Sequence, residues 1–214
     1  MTDEPELTPR QQATAAIAAF TAAGHLPQLR EALTDGLDAG LSICEINEVL
    51  IQMYAYAGFP RSLNGLGTFM ALLTERRADG TDDPAGEPPT PLPADTNMTE
   101  LGTRNQTQLA GAPVSGPLFD FAPAIDQFLK THLFGDIFAR DNLDWQSREL
   151  ATVAALATLD GLESQLQSHV GIALNTGLTE QQLRDLIKVL RERVGEGAAE
   201  RADTVLDNVL SNQH

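Results

Sequence analysis

The chain has 214 residues, enough to bury a core without covalent staples, and its single cysteine, Cys44, excludes an intrachain disulfide or a cysteine-rich metal site. Acidic residues outnumber basic ones 30 to 14, and the formal charge of -16 repels phosphate backbones and anionic lipid, so no nucleic-acid or membrane partner is expected. The composition is 42% hydrophobic but only 5% aromatic, and Ala and Leu lead the apolar residues, which predicts an all-α fold.

The opening run MTDEPELTPRQQ is acidic and polar, without the basic and apolar regions of a secretory signal, and no uncharged apolar run is long enough to cross a membrane. The expected location is cytoplasmic. Two helical stretches, Thr14 to Gly58 and Ala151 to Gly195, fall into register when the sequence is displaced by 137 residues. Each carries the same mechanical parts. Gly40 and Gly177 are placed to end a helix in the left-handed conformation, and Ser42 with Glu45, like Thr179 with Gln182, spells the capping box of a new one. Leu41 with Ile46, and Leu178 with Leu183, occupy the two positions of a hydrophobic staple. After the first cap, Ile46, Val49, Leu50, Met53, Tyr54 and Ala57 form one buried stripe; Leu183, Leu186, Ile187, Leu190 and Val194 answer it in the second copy.

The residues between the copies, Ala78 to Asp95, are rich in Pro, Gly and Asp and have little to bury, so they read as an extended or mobile linker. Beyond them the sequence predicts a short helix over Met98–Leu109, another starting at Pro123 that carries Ile125, Phe128, Leu129 and His132, and a long Ala-rich helix capped by Asp144. The expected division is a first repeat over 8–77, a linker over 78–97 and a second repeat over 98–211.

The first half carries Glu48-Val49-Leu50-Ile51-Gln52, then Tyr56-Ala57-Gly58-Phe59-Pro60 and Asn64. The second carries Phe134-Gly135-Asp136, Leu143, Arg148-Glu149-Leu150, Glu163-x-Gln165-Leu166-x-Ser168-His169 and Leu174-Asn175-x-Gly177-Leu178-Thr179. These words resemble those of the carboxymuconolactone decarboxylase family, and the resemblance implies a duplicated alkylhydroperoxidase-like helical bundle. One branch of the family consists of lactone decarboxylases that need no cofactor. Another consists of alkylhydroperoxidase-like proteins with a C-x-x-C pair beside a Glu and a His, and here the corresponding run, LESQLQSH, holds no cysteine. A thiol peroxidase needs an attacking and a resolving thiol, which Cys44 alone does not supply.

Three residues are candidates for catalysis. His169 falls on the buried stripe of Leu162, Leu166 and Ala173, where it reads either as an interior histidine or as a tunable acid or base. Glu149 and Glu163 read as carboxylates that orient His169 or, alternatively, as helix N-terminal acids favoured by the macrodipole. Substrate-binding candidates are Arg148 and Arg61, whose guanidinium groups suit a carboxylate, together with Tyr54, Tyr56 and Asn64. Under the displacement, His169 faces Ala32 and Glu149 faces Gln12, while Phe59-Pro60 faces Glu196-Gly197. These complementary losses predict one composite site per chain.

The resulting expectation is a cofactor-free carboxy-lyase or isomerase acting on a small anionic lactone or unsaturated acid, with no metal. The alternative is a non-catalytic or regulatory oligomer that keeps the fold, and a peroxidase-like redox protein stands third. The resemblance also implies a homo-oligomer, with a trimer favoured.

Overall fold

A computed structural model describes residues 6–212, and within them the chain is all-α, without a strand. Its centre is a pair of Ala-rich helices. Helix α1 (Pro9–Ala23) begins at a Thr8–Gln11 capping box with Pro9 in its first turn, and α8 (Trp145–Thr158) begins at Asp144, whose carboxylate accepts from the Ser147 amide. Residues 13–22 of α1 and 148–157 of α8 are buried without interruption, so both helices are enclosed on all sides. Small side chains allow the two to lie directly against each other, and no pair of the described helices is in more extensive contact.

Around this pair stand α2 (Leu26–Asp38), α3 (Ile43–Ala57) and α4 (Phe59–Ala78) on one side of the chain, and α9 (Glu163–Asn175), α10 (Glu180–Val189) and α11 (Glu196–Ser211) on the other. Helix α10 runs on into a wider π-helical turn, Leu190–Val194. The starts of α2 and α9, of α3 and α10, and of α4 and α11 are each 137 residues apart: Leu26 and Glu163, Ile43 and Glu180, Phe59 and Glu196. Both capping boxes form, and Gly40 and Gly177 adopt φ of +90° and +97° at the preceding turns. A single hydrophobic core runs through both stretches, from Ile17, Leu29 and Leu50 to Leu150, Leu166 and Leu186. Neither half closes on itself.

The segment that follows α4, residues 79–97, has no helix but is pinned at several points. The first amides of α3 need acceptors that the helix itself does not provide, and Ile43 and Cys44 donate to the carbonyls of Pro84 and Ala85. Arg76 grips Asp83 through two nitrogens, and the Thr90 amide donates to Asp141. The sequence predicts an extended or mobile linker; in the structure the segment is without helix and pinned to α3, α4 and the stretch before α8.

After it come α5 (Met98–Ala110), α6 (Pro117–Phe121) and α7 (Pro123–Phe128), the last continuing into a π-helical run, Leu129–Ile137. Helix α5 lies tightly on that run because residue 102 is glycine: a Cβ there would sit 1.5 Å from the Lys130 carbonyl oxygen. Leu109, Leu133, Phe134, Ile137, Phe138 and Ile172 make a second, smaller apolar cluster, which fixes these elements against α9. None of the helices described is long and apolar enough to cross a membrane.

Candidate functional site

The second cluster encloses the site. A cavity of about 650 Å³ opens between α5, α6, α7, the π-helical run and α9. Its apolar wall comes from Leu118, Phe119, Ile125, Leu129, Leu133 and Phe134. Its polar side comes mainly from α9, where Gln165, Ser168 and His169 share a face by their three- and four-residue spacing, with Ile172 one turn on. Gln106 of α5 adds a buried amide.

His169 is only 8% exposed, and its Nδ1 lies 2.8 Å from Oε2 of Glu149, which α8 holds with no exposed surface at all. The other carboxylate oxygen, Oε1, is buried without a hydrogen-bond partner. An ionised carboxylate accepts from Nδ1–H, which leaves the lone pair of the neutral imidazole on Nε2, the ring nitrogen with no protein partner. Tyr56 of α3 packs edge-on against the imidazole with ring centroids 5.5 Å apart. Its hydroxyl is buried without a hydrogen-bond partner, and burial together with the Glu149 carboxylate raises its pKa far above the usual phenol value. Glu149, His169 and Tyr56 thus come from three helices, and the last of these belongs to the first half of the chain.

Behind Glu149 runs a buried polar network that ties α3 to α8. Arg148 is fully enclosed; it donates to Oε1 of Gln52 at 3.0 Å, to Oε2 of Glu48 at 3.2 Å and to the Arg140 carbonyl at 2.7 Å. Its guanidinium also lies 5.9 Å from the centre of the Phe138 ring. Gln52 returns the contact by donating to the Arg148 carbonyl and to the Thr152 hydroxyl. Arg140 closes on Glu48 in bidentate fashion at 2.6–3.0 Å. Burial by itself would raise the pKa of Glu48, but Arg140 and Arg148 outweigh it and hold the carboxyl below its ordinary value. Burial lowers the pKa of Arg148, against the pull of Glu48.

The remaining candidates lie elsewhere. Arg148 does not line the cavity: its Nη1 and Nη2 turn to Gln52, Glu48 and the Arg140 carbonyl, and its Nε is buried without a hydrogen-bond partner. Arg61 is exposed on α4 with its guanidinium over Gly24, and Asn64 is exposed further along the same helix. Tyr54 stacks on Phe59 with ring centroids 4.4 Å apart and also faces His132, so it packs beside the site and does not line it. Glu163 is exposed in the first turn of α9 and makes no hydrogen bond with His169. Of the expected composite site, His169, Glu149 and Tyr56 converge; Arg61, Asn64 and Glu163 do not.

Sequence reasoning missed Gln106, Arg140 and the role of Glu48. Gln165, Ser168, Glu48 and Gln52 stood inside the quoted family words, but those words carry no indication of what each side chain touches. Arg140 precedes α8 outside any motif.

The sequence model of the carboxymuconolactone decarboxylase family matches residues 123–208, the stretch from α7 into α11 that supplies Glu149 and His169. The 4-carboxymuconolactone decarboxylase of Acinetobacter baylyi is 33% identical over 70 residues, which are 33% of this chain and 52% of that protein. The chain therefore spans about half the length of this curated relative.

Proposed function

We propose that the chain is a member of the carboxymuconolactone decarboxylase family, whose sequence model matches residues 123–208, and that it acts as a carboxy-lyase or isomerase that moves a proton on a small unsaturated lactone or acid. The observation that carries this reading is the Glu149–His169 pair at the wall of a largely apolar cavity, with Nε2 free. Glu149 sets the tautomer and stabilises the imidazolium once Nε2 takes a proton, so the same nitrogen serves as base and then as acid. In an α,β-unsaturated butenolide, proton removal from the saturated γ carbon, vinylogous to the carbonyl, places an electron pair in a dienolate, and return of the proton at the α carbon shifts the double bond. In an acid of the same kind, loss of carbon dioxide leaves that electron pair in the dienolate, and His169 returns a proton to carbon.

The exposed apolar side chains supply a further proposal. Phe59, Leu63 and Met70 on α4, and Leu118, Phe121, Ile125 and Phe128 on α6 and α7, stand out in solvent. We propose that copies of the chain bury part of this surface in a homo-oligomer, with a trimer favoured by closed symmetry. We likewise read the recurrence of helix starts as an internal duplication whose two copies have merged into one core.

A crystal structure with a soaked butenolide tests the catalytic reading. The ring should lie in the cavity with its reacting carbon or carbonyl within hydrogen-bond reach of Nε2 of His169. A ligand seated elsewhere on the chain, with this cavity empty, would count against it.

A further inference from the structure

The cavity also constrains what the substrate carries beyond its reacting head. Among its lining residues there is no Lys, Arg, Asp or Glu. The arginine nearest in sequence to Glu149 is committed to Glu48 and sealed from the cavity, and Lys130, beside the lining residue Leu129, is paired with Asp126 at 2.6 Å. The charged group that touches the wall, through His169, is the carboxylate of Glu149, which repels an anion. A second carboxylate brought here would lose its water and gain no cation, and burying an uncompensated charge is strongly disfavoured.

The polar groups are also unevenly placed. They lie along α9 and at Gln106, so the unsaturated carbonyl head belongs there, while α6, α7 and the π-helical run present aliphatic and aromatic surface to the rest of the ligand. A volume of about 650 Å³ holds a five-membered ring together with a chain of several carbons. Resting on the proton-transfer reading above, we infer that this chain takes an unsaturated lactone or acid whose non-reacting part is an uncharged, apolar chain, and that it discriminates against substrates bearing a second carboxylate.

The test compares two probes by titration calorimetry on the full chain at neutral pH: a butenolide bearing an unbranched pentyl chain, and the same ring with a chain of equal length ending in a carboxylate. The pentyl compound should bind at least about tenfold more tightly. Gln165→Arg, at the exposed rim of the cavity, should narrow or reverse that preference by supplying the missing cation. Equal or tighter binding of the carboxylate-tailed probe to the unaltered chain would overturn the inference, as would a preference that Gln165→Arg leaves unmoved. Turnover is read separately. A chain that prefers the pentyl probe but catalyses no proton transfer on it contradicts the catalytic reading while the cavity's preference stands; one that turns over and prefers the carboxylate-tailed probe does the opposite.

Discussion

Replacing Glu48 with leucine should be among the most damaging single changes in the protein, although Glu48 touches no part of the cavity. The carboxylate is 2% exposed and receives Arg140 in bidentate fashion and Arg148 at 3.2 Å. Once it is gone, Arg140 can turn to solvent, since its side chain is already 37% exposed. Arg148 has no such exit: it is wholly buried, and only the Gln52 amide oxygen and the Arg140 carbonyl would remain to it. Stranding one partner of a buried ion pair costs about 3–5 kcal/mol. At about 2–4 °C per kcal/mol for a chain of this size, the midpoint of thermal unfolding should fall by roughly 6–20 °C. Replacing Arg148 with methionine in the same chain should recover much of the loss, because an apolar pair of similar volume avoids desolvating two charges.

The pH dependence carries the same sign. The folded pKa of Glu48 lies below its ordinary value of 4.5, so its contribution is complete above that pH and is lost as the pH falls through the lower folded value. Circular dichroism melts of the single and double variants, with an acid titration of the unaltered protein, read all three effects. A loss below about 1 kcal/mol for Glu48→Leu, or a double variant no more stable than the single, would refute the argument.

Four other outcomes are expected. Gly102→Ala should destabilise by roughly 1–3 kcal/mol in a denaturant melt, because the new methyl group meets the Lys130 carbonyl backbone rather than a yielding side chain. Above about pH 10 stability should decline, since the Tyr56 phenol must ionise more readily unfolded than folded; a melt series from pH 8 to 11 measures this, and Tyr56→Phe should flatten it. Cys44→Ser should leave both fold and turnover intact, whereas rapid hydroperoxide reduction dependent on Cys44 would reopen the redox reading. Light scattering at micromolar concentration should give a multiple of the 23.0 kDa chain mass, and Phe121→Lys or Phe59→Lys should lower it if those faces form the contact.

The parts of the structure visible in the sequence were those written in local periodicity. The turns at Gly40 and Gly177, the two capping boxes and the apolar stripe of α3 each depend on residues within one or two helical turns of one another. The Asp144 cap was legible for the same reason. Pro123 does open a helix, but after Phe128 it widens into the π-helical run, a change in pitch that the spacing of Ile125, Phe128 and Leu129 does not encode.

Contacts across the chain were less accessible. Glu149 and His169 lie 20 residues apart, and their pairing was suggested only by the family words around them. Arg148 looked like a ligand for a substrate because an arginine beside a catalytic candidate has that chemistry; its actual partner, Glu48, stands 100 residues away on another helix. The cavity wall is assembled from α5, α6, α7 and α9, whose mutual placement is set by features such as the missing side chain at Gly102, and no single stretch records it.

The most direct measurement of the catalytic role assigned to His169 is proton exchange on a bound lactone. In deuterium oxide, an α,β-unsaturated butenolide should exchange its acidic γ hydrogen in the presence of the protein, followed by proton NMR. His169→Gln should slow that exchange by roughly 10²- to 10⁴-fold, the range expected for losing a positioned acid or base. The unfolding midpoint should change little, because among the described residues only Nδ1 of the ring has a partner, and the glutamine amide can donate to Glu149 in its place. Exchange at the unaltered rate in His169→Gln, particularly with a marked loss of stability, would show that His169 is a structural residue and contradict the account.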